Sequence, residues 1–140
     1  MINSRGSVIP YFLKLYESKI RKLPLTDKRM TRFVINLEQA LEFVFNSIKM
    51  MKGNEIFVPK LPSIRIIDII KALNCLPKIL GKGKGEKLHE VLISSEEKYY
   101  AREFNKYFII NSNFKNIKKN KYHDYDSGNN KDYIDKKKII

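Results

Sequence analysis

One stretch constrains this chain more than any other. Leu37, Ala40, Leu41, Val44, Phe45 and Ile48 recur at steps of 3, 1, 3, 1 and 3 residues, which draws a single apolar stripe along a helix. Asn36 stands where an N-cap belongs, with Gln39 placed as the partner of a capping box, and Gly53 is a fitting stop. A helix with such a stripe must cover an apolar surface. The β-rich runs Met30 to Ile35 before it and Glu55 to Pro59 after it read as strands. Alternation of this kind predicts an α/β arrangement.

The remaining elements follow from the same reasoning. The polar turn Ser4-Arg5-Gly6-Ser7 leads into a helix over Ile9 to Arg21, with Pro10 in the first turn, where proline is tolerated. Leu23-Pro24-Leu25 is short and apolar, and Thr26 to Arg29 reads as a turn. Ser63 is expected to cap a helix over Ile64 to Leu73. Lys78-Ile79-Leu80 is a strand candidate, Gly81 to Gly85 a loop, Glu86 to Ser94 a short helix or turn, and Tyr107 to Ile110 a last strand. Beyond Asn111 the apolar pattern gives way to Lys, Asn and Asp, so residues 1–110 are expected to form the structured region and 111–140 a basic tail with little fixed structure.

Bulk properties narrow the function classes. No apolar run approaches the ~20 residues that span a bilayer, and the opening MINSRGSVIPYF lacks the apolar core and cleavage site of a signal peptide. The single cysteine, Cys75, forms no internal disulfide and fits a reducing compartment. These features point to a cytoplasmic protein with no membrane partner. The net charge of +13 raises nucleic acid or another polyanion as a partner. No zinc-ligand spacing, RNA-binding aromatic motif or zipper heptad accompanies that charge, so a basic binding module remains the second reading.

Three clusters suit a phosphorylated ligand. Ser4-Arg5-Gly6-Ser7 combines backbone amides, hydroxyls and a guanidinium at a helix entry, and equally describes a capped helix start. Arg32 lies inside an otherwise apolar strand. A guanidinium there either meets a partner such as a diphosphate or lies on a solvent face. Gly81-Lys82-Gly83-Lys84-Gly85-Glu86-Lys87-Leu88-His89-Glu90 joins flexible backbone with cationic side chains, but is not a Walker A loop, and also reads as a flexible basic turn. Catalytic groups are scarce. There is no Gly-x-Gly-x-x-Gly, His89 and His123 are the only histidines, and Cys75 reads as packing. Tyr133 and Lys137 form a Tyr-x-x-x-Lys in the polar tail, where no scaffold is expected to hold it.

Taken in order, SRGSVIPYF, LPLTDKRMTRFVINLEQALEFV, MMKGNEIFVPKLPSIRIIDIIKAL and GEKLHEVLIS resemble the CapD-like polysaccharide biosynthesis proteins, which are extended short-chain dehydrogenases/reductases. The resemblance is nearest to the inverting UDP-N-acetylglucosamine 4,6-dehydratases that begin pseudaminic acid synthesis, with GNEIFVPKLPSIRIIDIIKAL favouring these over the UDP-sugar 4-epimerases. It covers roughly Met1 to Ile110.

The resemblance implies the last sheet elements and the small substrate-binding subdomain of such an enzyme, without its N-terminal Rossmann core. It implies NADP as the cofactor of the intact family, bound by residues upstream of this chain, and no cofactor for this chain alone. It also implies a truncated or split dehydratase, inactive alone, whose partners are a UDP-sugar and either a separately encoded Rossmann half or further copies of itself. Arg5, Gly6, Ser7, Val8, Ile9 and Pro10 would line the nucleotide-sugar side, and Arg32 would contact the diphosphate. Lys84, Gly85 and Glu86 would form the end of an Arg-Pro-Gly-Glu loop whose glutamate holds ribose hydroxyls. This chain has Gly83-Lys84 at the family's Arg-Pro, which removes a bidentate phosphate ligand and predicts weaker UDP-sugar binding. The resemblance also implies that the apolar stripe on Leu37 to Ile48 lacks the sheet it would cover, leaving several hundred square ångströms exposed and the chain unstable or dependent on a partner.

Overall fold

The computed structural model describes residues 7–81, 83, 85–114 and 123–134. The chain is α/β, as expected. It opens with α1 (Val8–Glu17), β1 (Lys22–Leu25) and β2 (Thr31–Phe33), then the long α2 (Leu37–Met50) and β3 (Ile56–Pro59). β4 (Ser63–Arg65), α3 (Ile66–Ala72) and β5 (Leu76–Ile79) follow, and then β6 (Val91–Ile93), α4 (Ser95–Lys98), β7 (Ala101–Glu103), β8 (Tyr107–Ile110) and β9 (Tyr125–Asp126).

The strands form four small sheets among the described residues. β1 pairs parallel with β5, from Lys22 opposite Leu76 to Leu25 opposite Ile79. Pro24 is tolerated in β1 because a two-stranded sheet leaves one edge unpaired. β2 pairs antiparallel with β4, which sets Arg32 opposite Ile64. β8 lies between β3 and β7, antiparallel to both, and β6 pairs antiparallel with β9.

Two apolar clusters hold these pieces. The larger gathers Phe12 from α1, Leu23 and Leu25 from β1, Ile64 from β4, and Ile66, Ile69 and Ile70 from α3, with Met30, Val34, Leu73 and Cys75. Val8, Ile9, Leu88 and Ile134 pack against its edge. The smaller joins Val58, Ile93, Ala101, Phe108 and Ile110, with Tyr125 against it. Cys75 is buried and its thiol points to the Leu73 carbonyl at 3.4 Å, a packing role.

α2 is the exception to this pattern. Its capping box forms as the sequence predicts, with Gln39 N donating to Asn36 Oδ1 at 2.8 Å and Asn36 N donating to Gln39 Oε1 at 3.2 Å. Yet none of its residues is buried, and Leu37, Leu41, Val44, Phe45 and Ile48 are all exposed, Phe45 by 61%. Local signals build the helix, and its apolar stripe is left facing outward.

Several expected elements differ. Ser63 does not cap a helix: Ser63 to Arg65 pair with β2, and the helix begins at Ile66. The run Ser-Ile-Arg-Ile-Ile is rich in β-branched residues, and the ladder with Thr31 to Phe33 claims its first three. Glu86 to Ser94 is not helical; Val91 to Ile93 form β6, whose partner β9 comes from the tail. The first helix ends at Glu17 rather than Arg21, followed by Lys19 in a left-handed conformation, φ 63°.

The tail also departs from expectation, because residues 123–134 are folded onto the body. Tyr125 and Asp126 form β9, and Asp126 and Ser127 are buried. Asn130 Nδ2 donates to the Leu61 carbonyl at 2.7 Å and to Ser63 Oγ at 3.0 Å. Such polar pairing is specified residue by residue and leaves no periodic trace in a sequence.

Candidate functional site

β2 and the 85–90 loop lie against one another beside the larger core. Thr31 N donates to the Leu88 carbonyl at 3.1 Å, docking the loop on β2. Leu88, Val8 and Ile9 all pack against the same apolar cluster. The structure therefore brings Arg32 to the loop that carries Gly85 and Glu86, while Val8 and Ile9 of α1 pack against the same large cluster. Arg5, Gly6 and Lys84 lie outside the described residues.

Arg32 is held more firmly than a free phosphate ligand would be. Its Nη1 donates to the carbonyls of Thr31 at 2.7 Å and Leu88 at 3.2 Å, and its Nη2 donates to the carbonyl of Lys87 at 3.1 Å. Its Nε faces Glu90 Oε1 at 3.7 Å, and the side chain is 24% exposed. The sequence left open a paired guanidinium or a solvent-facing one; it is half-buried, and main-chain carbonyls are its main partners. A second Nη2 hydrogen and the exposed rim of the group are what it can offer a ligand.

Glu86 sits on the same loop. Its Oε1 accepts from Thr26 Oγ1 at 2.8 Å, and its backbone N donates to the Gly83 carbonyl at 3.3 Å. Gly85 has φ +81°, a left-handed conformation that favours glycine at this turn. Among the described residues no hydrogen bond engages Oε2 of Glu86.

At the third cluster Ser7 occupies the N-cap position of α1, with Pro10 in the first turn. Its side chain makes no capping bond, and its Oγ is buried with no hydrogen-bond partner. A buried hydroxyl without a partner at a helix N-terminus suits an anionic or hydroxylated ligand. Val8 and Ile9 are partly buried and pack against the core, which is their role here.

Behind Arg32 lies a group of residues whose mutual contacts the sequence did not signal. Glu90 Oε2 accepts from Phe33 N at 2.9 Å. Ser127 Oγ accepts from Glu90 N at 2.9 Å and lies 2.7 Å from Thr31 Oγ1, which lies 2.7 Å from His89 Nδ1. All these groups are satisfied when Ser127 donates to Thr31 and Thr31 donates to His89 Nδ1. Ser127 N donates back to the Glu90 carbonyl at 2.8 Å. Tyr133 is absorbed in the same region, its hydroxyl donating to the carbonyls of Ser127 at 2.9 Å and Gly128 at 3.0 Å. That is a structural role, and Lys137 of the Tyr-x-x-x-Lys lies outside the described residues.

Two titrating groups fix the surroundings. Burial pushes the Tyr125 phenol up from its ordinary value, with the Leu61 backbone opposing this and the Asp132 and Glu103 charges adding to it. Glu97 is held below the usual carboxylate range by hydrogen bonds from the Ser94 backbone and hydroxyl, which cap α4. Among the described residues no group of three or more His, Cys, Asp or Glu side chains could hold a metal ion. No helix among them is long and apolar enough to cross a membrane.

Comparison with known proteins places this geometry. The family model described as "Polysaccharide biosynthesis protein" matches residues 1–112. A UDP-N-acetylglucosamine 4,6-dehydratase (inverting) of Campylobacter jejuni serotype O:2 is 46% identical over 121 residues, covering 85% of this chain and 36% of that protein. A UDP-glucose 4-epimerase of Rickettsia bellii is 34% identical over 85% of this chain and 36% of its own length. The X-ray structure of Pen from Bacillus thuringiensis superposes with a TM-score of 0.80 at 32% identity, covering 99% of this chain and 44% of that one. The chain thus spans a little over a third of the length of the curated relatives it matches. With four-fifths of its residues inside the family match, the chain belongs to the CapD-like polysaccharide biosynthesis proteins.

Proposed function

We propose that this chain supplies the nucleotide-sugar-binding part of an inverting UDP-N-acetylglucosamine 4,6-dehydratase of the pseudaminic acid type. In fold terms it corresponds to the last sheet elements and substrate subdomain of an extended short-chain dehydrogenase/reductase. One observation carries the reading: the loop that bears Glu86 docks on β2, and its Lys87 and Leu88 carbonyls hold the Arg32 guanidinium. In that arrangement Arg32 offers its remaining N–H and its charge to the diphosphate, and Glu86 offers Oε2 to ribose hydroxyls. Ser7 and the first amides of α1 meet further oxygens of the ligand.

A complete enzyme of this kind needs the other two-thirds of its relatives' length, in the same polypeptide or in a separate one. The exposed stripe of Leu41, Val44, Phe45 and Ile48 supports that reading, because a Rossmann half would cover it. NADP is the cofactor that the resemblance implies. The described residues offer no glycine-rich turn between a strand and a helix for its pyrophosphate, so no step through NADP is assigned to this chain.

The test is calorimetric titration of UDP into the chain and into Arg32→Ala and Glu86→Ala variants. Losing the charged contact at Arg32 is expected to weaken binding by roughly 10-fold or more. UDP affinity unchanged in both variants would overturn the reading. Tight, steeply salt-dependent binding of nucleic acid with no response to UDP would favour the polyanion-binding alternative.

A further inference from the structure

The polar group that ties the tail to the body lies directly behind the Arg32 cradle. The 87–90 loop has two sides. On one, the carbonyls of Lys87 and Leu88 point at the Arg32 guanidinium. On the other, Glu90 N points at Ser127 Oγ, and the His89 ring reaches Thr31 Oγ1. Glu90 then returns to β2 through its carboxylate, bonding Phe33 N and facing Arg32 Nε. Ser127 is completely buried and Thr31 nearly so. Neither hydroxyl can trade its partner for water, so this chain of bonds holds one arrangement.

The tail also approaches too closely to be a loose cover. A Cβ on Gly128 would lie 2.5 Å from His89 Nδ1 and 2.7 Å from two ring carbons. A side chain at position 128 would displace the His89 imidazole from the backbone of the 126–129 turn. The turn is itself fixed: Asp126 Oδ1 accepts from Gly128 N at 2.7 Å and from Asn129 N at 2.9 Å, and Asp126 Oδ2 accepts from Asn129 Nδ2 at 2.8 Å.

From this geometry we propose that Ser127, seated behind the 87–90 loop by the Gly128 close approach, is a positioning residue that aims the Arg32 guanidinium. It touches no ligand. It fixes the loop whose carbonyls hold Arg32, so that the remaining N–H of the fork faces outward in one orientation before any ligand arrives. Preorganising a donor in this way strengthens binding by removing the cost of ordering it. The part of the proposal that concerns ligand affinity rests on the reading of Arg32 as a diphosphate contact; the part that concerns Arg32 itself does not.

The experiment uses the full chain with 15N-labelled arginine, in which the Arg32 Nε–H signal is assigned by its loss in Arg32→Lys. Ser127→Ala removes the hydroxyl, and Gly128→Ala displaces His89. Each is expected to turn an ordered Arg32 signal into an averaged one, and an Arg32 signal as ordered as in the unaltered chain would overturn the proposal. A measurement on the unaltered chain covers the case of variants that fail to fold. As denaturant is raised, Arg32 must keep its order until the Ser127 amide loses protection, and Arg32 disordering first overturns the proposal.

UDP titration supplies a readout that a merely structural role would not move. Ser127→Ala is expected to weaken UDP roughly 5-fold, and that effect should vanish in an Arg32→Ala background. The same loss in both backgrounds would show that Ser127 acts elsewhere and would overturn the proposal. A chain that does not bind UDP at all, yet loses Arg32 order in Ser127→Ala, sinks the functional reading and upholds this one.

Discussion

Asn130 in the tail donates from Nδ2 to the carbonyl of Leu61 at 2.7 Å, bridging a separation of 69 residues in sequence. The same nitrogen reaches Ser63 Oγ, which is completely buried. Asn130→Ala removes both bonds and leaves the Leu61 carbonyl without this donor. It is expected to destabilise the fold by about 1–3 kcal/mol, read from the midpoint of urea unfolding. Asn130→Asp, which sets an acceptor against an acceptor, should cost at least as much. A midpoint unchanged in both variants would mean that the tail does not contribute to stability.

The exposed stripe of α2 and the buried face of α3 should respond in opposite ways to polar or small substitutions. Phe45→Gln with Leu41→Gln changes residues that are already in water, so stability should move by no more than about 0.5 kcal/mol. Self-association, followed by sedimentation velocity, should fall. Ile70→Ala opens a cavity at a completely buried position and should cost about 2–5 kcal/mol. A large stability loss in the α2 double variant would show that the stripe is covered in the free chain.

The tyrosine at the tail strand makes a prediction about high pH. The Tyr125 phenol is raised above its ordinary value of 10.0, chiefly by burial. The folded state therefore holds its proton more tightly than the unfolded chain does. Its contribution to stability is fully present below that ordinary value and is lost as pH rises through the folded value. Unfolding midpoints measured between about pH 8 and 12 should decline less steeply in Tyr125→Phe than in the unaltered chain, relative to each protein's own value at pH 8. Glu97 works in the other direction: its lowered carboxyl contributes above the ordinary carboxylate range, and that contribution disappears as pH falls through the folded value.

At the basic loop, Gly83→Arg with Lys84→Pro restores the residues of the family's Arg-Pro step. UDP affinity is expected to rise, by about 10-fold if the guanidinium makes a charged contact. Equal affinities measured by calorimetry would remove the idea that the natural loop weakens binding. Gly85→Ala tests the neighbouring turn. With φ +81° and no atom within 4 Å of its Cβ position, the substitution carries a backbone penalty of about 1 kcal/mol without a steric clash.

What could be read in advance divides along a physical line. α2 was legible because its signals are local: Asn36 and Gln39 are close neighbours, and the stripe repeats within the helix itself. β8 was legible as a short apolar run with β-branched residues. β6 was not, because Val91 and Ile93 become a strand only through Asp126 and Tyr125, in a segment whose composition is polar. Ser63 was misjudged for the same reason. It looks like a cap beside its neighbours, and Phe33 across the ladder makes it a strand residue.

The site shows the same division. Arg32 stood out by chemical type, Ser7 by its place before a helix, and Glu86 only through the family resemblance. No sequence signal showed that Arg32 would spend most of its fork on main-chain carbonyls. Nor did any pair Thr26, Glu90 or Ser127 with their partners, which are 60, 57 and 37 residues away.

The contact between Thr31 and Ser127 spans 96 positions. A contact of that span closes a long loop, and chain entropy places such closures late in folding. During synthesis β2 leaves the ribosome long before the 126–129 turn exists, so the polar group behind the Arg32 cradle is completed only after residues 126–129 have been made. In a pulse-labelling experiment the Glu90 amide would gain protection after the amides of α2, and a single cut between Asn111 and Asp124 would slow its protection further.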